Sequence, residues 1–256
     1  MTFSIFLPPI ADHKNQQFQL VPALFWLSGM TCTDQNFVLK AGAQKYAAEK
    51  GIALICPDTS PRGKGVPSDP GGNWDFGHGA GFYINATEPP WNINYNMYGY
   101  VVEELPRYIF QHFPIDSDRV SIFGHSMGGH GALMIAFKNP GVFKSISAFA
   151  PLVSPIDCSL GSNAFKKYLG NDLNKWKQYD SCSLISEVSE KLPVLIDQGD
   201  QDEFLEDQLK TELLQSASER YSYSMNIRFQ KGYDHSYFFI SSFIEDHIKF
   251  HAGFLN

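Results

Sequence analysis

The sequence is short of positive charge. Its 256 residues carry 20 Lys and Arg against 27 Asp and Glu, a formal net charge of −7. With no basic field to neutralise a phosphate backbone, nucleic acid is not expected as a partner. Long apolar runs are missing too, none approaching the roughly 18 residues a membrane span needs. The stretch Met1–Pro9 has neither a basic n-region nor a full apolar h-region, so no secretory leader is read from it and a cytoplasmic protein is expected, with no membrane partner. Cysteine is scarce: Cys32, Cys56, Cys158 and Cys182 include no C-x-x-C pair, and free thiols are expected. No internal repeat or interdomain linker interrupts the chain, which predicts a single domain over residues 1–256. At 43% hydrophobic and 18% charged residues, disorder is excluded as a general state.

What is present is a glycine-rich serine motif. Gly124-His125-Ser126-Met127-Gly128 fits G-x-S-x-G, a pattern that becomes informative through its flanks. Arg119–Phe123 alternates like a short buried strand, and Met127–Phe137 is an Ala/Leu/Met-rich helix ended by Asn139-Pro140-Gly141. Ser126 therefore falls on a strand-to-helix turn. A nucleophile elbow needs this arrangement: the turn is so tight that glycine is required two residues before and after the serine, and strain lifts the hydroxyl above the sheet edge. The helix N-terminus beneath favours negative charge on the reacting group. The competing reading is a serine that only caps a helix.

Elsewhere, Phe3–Leu7 and Ala23–Leu27 read as apolar strands joined by the polar run Asp12–Gln17. A helix over Asn36–Lys50, capped by Thr33 or Asp34 and closed at Gly51, precedes a buried strand at Ile52–Cys56. Pro57–Pro90 is a long excursion dense in Gly and Pro that carries Trp74, Phe76, Phe82 and Tyr83, and such loops are usually functional. Helical spacing resumes over Tyr95–Phe113. After the elbow come a strand at Lys144–Phe149, an irregular stretch over Leu152–Asp180, a strand at Leu192–Asp197, a helix at Glu206–Arg220, a strand at Met225–Gln230 and a helix at Tyr237–Phe250. This alternation predicts an α/β fold, a mainly parallel central sheet with helices on both faces and reacting groups at the strands' carboxyl ends.

A serine hydroxyl needs a neighbouring base, and in this architecture the partners follow in the order serine, acid, histidine. His235, between the last strand and the last helix, is placed as the base. His247 and His251, one turn apart on the last helix, are expected at solvated positions, since no carboxylate motif supports a metal pair. His125 and His130 are read as bracing the elbow. Asp197 lies within an apolar run, whereas Asp200 and Asp202 lie on the following loop; spacing does not separate those two. The oxyanion donors expected are the backbone N–H of Met127 and a second from the loop after an early strand, for which Gly29-Met30 is suitably placed. No cofactor and no metal are called for.

These residues sit in a chain that resembles the S-formylglutathione hydrolase (esterase D) family of α/β-hydrolases. The resemblance runs nearly full length, through Leu27–Thr33, Pro57–Gly63, Trp74–Tyr83, the elbow through Leu133, Ala148–Pro151, Ile196–Gly199 and Gly232–Tyr237. It implies Asp202 as the acid beside Ser126 and His235. It also implies S-formylglutathione as a small-molecule thioester substrate, hydrolysed to formate and glutathione in formaldehyde removal, and pairing into homodimers. The narrow acyl pocket is expected to draw on Cys32, Trp74, Phe82 and Trp176, with alkylation of Cys32 blocking activity sterically. Members of the family usually carry a further segment before the one matching Phe3–Leu7, which implies an outer strand or hairpin fewer here. Two rival functions remain: a short-chain acyl carboxylesterase or acyltransferase on the same scaffold, and a non-catalytic binding protein that kept the fold. The first is separated by comparing a simple aryl acetate with S-formylglutathione. The second tends to lose a triad member, and Ser126, Asp202 and His235 are all present.

Overall fold

The computed structural model describes residues 1–12, 14 and 18–255. Within the polar run expected to join the first two strands, His13 and Asn15, Gln16 and Gln17 lie outside the described residues. Among those described, seven strands are formed: β1 (Phe3–Phe6), β2 (Val21–Leu27), β3 (Ala53–Pro57), β4 (Ile115–His125), β5 (Ile146–Phe149), β6 (Val194–Gly199) and β7 (Asn226–Gln230). They make one sheet in the order β1-β3-β2-β4-β5-β6-β7. Only β1 runs antiparallel, against β3. β2, β3, β5 and β6 are buried along their length, which is why β2 and β3 read as continuous apolar runs rather than alternating ones. The edge strands β1 and β7 are only partly covered.

The winding reverses between β2 and β4, because the chain first places β3 on one side of β2 and then returns to the other. Leu27 and Gly124 are register partners at the carboxyl ends of these two strands. Loops leaving a sheet at such a point diverge and open a crevice between them.

The helices are α1 (Gln35–Lys40), α2 (Ala43–Lys50), α3 (Met97–Gly99), α4 (Leu105–His112), α5 (Met127–Lys138), α6 (Ser159–Leu169), α7 (Leu173–Lys177), α8 (Ser181–Leu184), α9 (Thr211–Arg220) and α10 (Tyr237–Leu255). Three expectations are corrected. The helix over Asn36–Lys50 is two, split at Gly42, whose φ of +68° takes the backbone into the left-handed region. Its N-terminal capping acceptor is the Thr33 hydroxyl, which receives the Gln35 N–H at 3.2 Å, while Asp34 accepts from Ser4 Oγ. The helix over Glu206–Arg220 is broken at Lys210, with φ +53°, into a π-turn at Leu205–Leu209 and α9. Leu152–Asp180 is not irregular, since it contains α6 and α7. The start of α6 is capped by the Cys158 thiol, which accepts from Gly161 N at 3.4 Å, and cysteine is not a residue that announces a helix N-terminus in sequence. Of the helix expected over Tyr95–Phe113, Met97–His112 is helical, with a π-turn at Tyr100–Glu104 just before Pro106, which has no N–H to return to Val102.

Side chains alternate across β5. Ala148 faces α5, lying close to Gly129, while Ser147 and Phe149 face α10. The Phe149 ring stacks on His247 with centroids 3.8 Å apart. His247 and His251 are therefore not solvated; both are completely buried. They belong to a chain of contacts through the core: Ser121 Oγ to Ser145 Oγ (2.8 Å), Ser145 Oγ to His251 Nδ1 (2.7 Å), His251 Nε2 to Ser147 Oγ (2.8 Å), Ser147 Oγ to His247 Nδ1 (2.7 Å) and His247 Nε2 to Asp197 Oδ2 (3.1 Å). One assignment of protons satisfies every link: each hydroxyl donates onward to an acceptor, each imidazole is neutral with its proton on Nε2, and the Asp197 carboxylate accepts last. Arg228 closes the far end with a two-pronged contact to Asp197 at 2.5 and 2.7 Å. Burial acts to raise the Asp197 carboxyl, but the hydrogen bonds from His247, Arg228 and Gln230 outweigh it and hold the group at about 2.

Burial pushes the imidazoles of His125 and His251 well below their ordinary value, lowers His247, and brings His130 down to about 3. These groups stay neutral in the folded chain and take up protons when it unfolds. The stability they support is complete above the unfolded imidazole value near 6.5 and is lost as pH falls below it, at about 1.4 kcal/mol per pH unit for each proton taken up. Urea denaturation between pH 6.5 and pH 5.5 is expected to show steeply falling stability, with up to four protons bound on unfolding. A flat profile in that window would contradict the neutral assignment.

Candidate active site

β4 ends at His125 and α5 begins at Met127. Ser126, between them, is held at φ +57° and ψ −121°, a conformation costing roughly 1–3 kcal/mol. The two glycines of the motif are explained by close approach: a Cβ on Gly124 would overlap the Gly128 carbonyl, and one on Gly128 would overlap the Leu27 carbonyl. Backbone bonds over-determine the turn. Ser126 N donates to Phe149 O at 3.0 Å, and Ser126 O accepts from His130 N at 3.0 Å and Leu152 N at 3.2 Å.

The loop after β2 lies directly on this serine, as the ideal Cβ position of Gly29 is 3.2 Å from Ser126 Cβ and 3.1 Å from His125 Nδ1. The excursion over 57–90 buttresses the loop. Tyr83 Oη donates to Ser28 O at 2.8 Å, and Thr31 N donates to Gly79 O at 2.9 Å. Trp26 Nε1 holds the Ser28 hydroxyl at 2.8 Å from below. Met30 thus follows a rigid glycine beside Ser126, and Met127, first residue of α5, has an N–H without an acceptor inside its own helix.

After β6 the three aspartates go three ways. Asp197 is committed to Arg228 and His247, and Asp200 accepts from Gly232 N at 2.7 Å. Asp202 Oδ2 lies 2.6 Å from His235 Nδ1, and its side chain is completely buried. Gln198 Nε2 donates to the same oxygen at 3.2 Å and Phe204 N to the other at 2.9 Å. Thr211 in turn fixes Gln198 at 2.8 Å. The His235 ring is packed between Phe204 and His125, with centroids 5.0 and 4.4 Å away. His125 therefore braces the histidine as well as the elbow. His130 packs between Phe82 and Phe165.

Ser126 and His235 line one cavity of about 320 Å³, together with Met30, Cys32 and Trp74. That volume suits a small molecule. Two residues expected there are elsewhere. Phe82 is completely buried, edge-on to Phe165, and Trp176 packs on Phe165 with its indole N–H bonded to Gly170 O at 2.9 Å. Aromatic content alone did not separate the wall of the site from the core behind it. Cys32 does line the cavity, but burial pushes its thiol up, against smaller opposing effects of Tyr237 and Lys40. Gln198 and Phe204, to which sequence reasoning gave no role, are the residues that aim Asp202; their signal was only position, on the strand end and loop flanking it. Among the described residues the four cysteines are unpaired. Among those residues, too, no cluster of three His, Cys, Asp or Glu is set to hold a metal, and no helix is long and apolar enough to cross a membrane.

The core chain Ser147–His247–Asp197 has the same three residue types, yet it is sealed from solvent. Ser126 alone of these serines faces space that a reagent can enter. A fluorophosphonate added to the native protein is expected to modify the peptide containing Ser126 and leave Ser145 and Ser147 untouched, as read by mass spectrometry of the digest. An adduct on Ser147 would reverse the assignment.

The family model Esterase, described as "Putative esterase", matches residues 1–250. A Rattus norvegicus protein named S-formylglutathione hydrolase is 52% identical over 258 residues, spanning 100% of this chain and 89% of its own. A solved S-formylglutathione hydrolase from Agrobacterium tumefaciens superposes with a TM-score of 0.94 at 48% identity, covering 99% of this chain and 90% of the other. The Staphylococcus aureus fluorophosphonate-binding serine hydrolase FphF shares the fold, with a TM-score of 0.76 at 19% identity over 98% of this chain and 91% of its own. With sequence and backbone both matched from end to end, and with the elbow lying between a parallel sheet and its helix, the chain belongs to the esterase family on the α/β-hydrolase fold.

Proposed function

We propose that this chain is a serine hydrolase that cleaves the thioester S-formylglutathione to formate and glutathione, acting as one cytoplasmic catalytic domain that pairs into a homodimer. The observation that carries the reading is the 2.6 Å contact of Asp202 with His235 in a cavity that also holds Ser126 on its strained turn. Similarity along almost the whole chain, at 52% and 48% identity, to two proteins named for that substrate supports its identity. Unpaired cysteines fit a reducing compartment; pairing rests on the family resemblance.

In this mechanism Ser126 Oγ attacks the formyl carbon while His235 Nε2 takes its proton. Asp202 accepts from His235 Nδ1–H, which fixes the tautomer and stabilises the imidazolium that forms. The Met30 and Met127 N–H groups receive the oxyanion, and the fixed backbone around Gly29 means no reorganisation is needed as charge develops. Collapse expels the glutathione thiolate, which takes the proton from His235. Water then attacks the formyl-enzyme, giving its proton to His235, and Ser126 is reprotonated as formate leaves. A formyl group has only hydrogen beyond its carbonyl, so little room is needed beside the serine.

Steady-state turnover of S-formylglutathione by the purified protein tests the reading. Ser126→Ala is expected to lower kcat/KM by at least about 10⁴-fold, and Asp202→Asn by about 10⁴-fold. Undiminished turnover by Ser126→Ala removes the nucleophile, and a preference of more than about tenfold for an aryl acetate moves the reading to a short-chain carboxylesterase. Gly29→Ala should cost about 10²-fold in kcat/KM with Tm shifted by only a few degrees, because its methyl group presses on Ser126 and His125 without demanding a forbidden φ. Equal activity in that variant would show that the loop does not govern the oxyanion site.

A further inference from the structure

The wall of the catalytic cavity is nearly devoid of charge. Apart from the histidines, Lys40 is the one ionisable group of fixed charge among the described residues that line it. It stands at the mouth, on the last residue of α1, with Nζ 5.5 Å from the centre of the Tyr237 ring. A cation over an aromatic face is held in direction without being neutralised. No carboxylate among the described residues pairs with it, although Asp and Glu outnumber Lys and Arg over the chain as a whole. Its field reaches into the cavity, where it opposes the upward push of burial on the Cys32 thiol. Beside it, Asn36 Oδ1 is occupied by Thr33 N at 2.9 Å, so the Asn36 amide presents its N–H₂ donors.

We propose that Lys40 is a specificity-determining residue that recognises a carboxylate of the glutathione moiety, holding the tripeptide at the mouth while its thioester reaches Ser126. This deepens the function proposed above and rests on it for the identity of the natural substrate. Glutathione near neutral pH bears one more carboxylate than ammonium and approaches a protein of net negative charge. An unpaired cation at the entrance offsets that repulsion where the substrate must enter. The formyl group lies at the inner end, between Gly29 and Met127, and the peptide extends outwards past Cys32 towards Trp74 and Lys40. The amide donors of Asn36 face a peptide carbonyl on this path.

Lys40→Met keeps an unbranched side chain only one atom shorter and removes the charge. It is expected to raise KM for S-formylglutathione roughly fivefold, the scale of an ion pair at a solvent-accessible site, with a much smaller effect on kcat. kcat/KM should fall several times further for S-formylglutathione than for a neutral aryl acetate, and Lys40→Arg should restore most of the loss. Raising the ionic strength from about 0.05 M to about 0.5 M should raise the KM of the unaltered protein and leave that of Lys40→Met nearly constant. Inhibition of aryl acetate hydrolysis by S-methylglutathione, which has the charges and no scissile bond, gives an independent reading: its Ki should rise by a similar factor in Lys40→Met. An equal loss on both substrates, or an unshifted Ki, overturns the proposal. If the protein fails to turn over S-formylglutathione while the Ki still shifts, the Lys40 site stands and the substrate assignment falls.

Discussion

The end of β2 and the first turn of α5 approach each other so closely that no side-chain carbon fits between them. Gly128 lies against the Leu27 carbonyl and Gly124 against the Gly128 carbonyl, and Ser126 is forced to a positive φ by the turn that results. This strain is held by bonds to backbone outside the turn, from Phe149 at the end of β5 and from Leu152 beyond it. The same approach brings the Gly29 loop onto the serine, so the proposed nucleophile and the proposed oxyanion donors share one cause. The reversal of winding between β2 and β4 makes it possible, because those two strand ends are neighbours whose loops then part.

The other half of the site depends on a polar seam through the core. α10 follows the His235 loop immediately, and it is fixed to β5 and β6 by His247, His251 and their serine and aspartate partners. Apolar packing fixes a helix in depth but leaves its sliding and rotation weakly specified; directional bonds from two histidines one turn apart remove that freedom. Asp202 is treated the same way on a smaller scale. Gln198, Phe204 N and the Thr211 hydroxyl leave its carboxylate little choice but to face the imidazole. The two histidine-aspartate contacts among the described residues thus use one chemistry for different ends, one sealed in the core and one at the edge of a cavity.

The excursion over 57–90 and the α6–α7 segment cover the sheet's carboxyl end as a joint layer. Tyr168 of α6 accepts from Gly77 N and donates to Ala80 O, and its ring lies among Phe76, Trp91 and Tyr95. Phe82 and Trp176 serve this layer from within. Trp74, about half exposed, is the member of the aromatic set that reaches the cavity, where Lys40 is the one group of fixed charge among the described lining residues.

Much of the architecture was legible because it is local. Apolar runs of strand length, a helix after Ser126 and a glycine on each side of it are consequences of φ and ψ preferences and of burial period, and residue order carries both. The elbow, His235 and the alternation into a parallel sheet could be read in this way. The breaks at Gly42 and Lys210, the thiol-capped α6, the burial of His247 and His251 and the withdrawal of Phe82 and Trp176 from the cavity could not. The two breaks are local left-handed turns and the cap is a local contact made by a residue type that does not announce one, whereas the histidines and aromatics depend on what a side chain meets across the fold, and a histidine gives the same letter whether it faces water or a buried serine. Spacing left Asp200 and Asp202 equivalent and the family resemblance pointed to Asp202 without a physical cause; the fold supplies it, because Gly232 takes one carboxylate while Gln198 and Phe204 N turn the other to the imidazole, and those partners are distant or unremarked in sequence but adjacent in space.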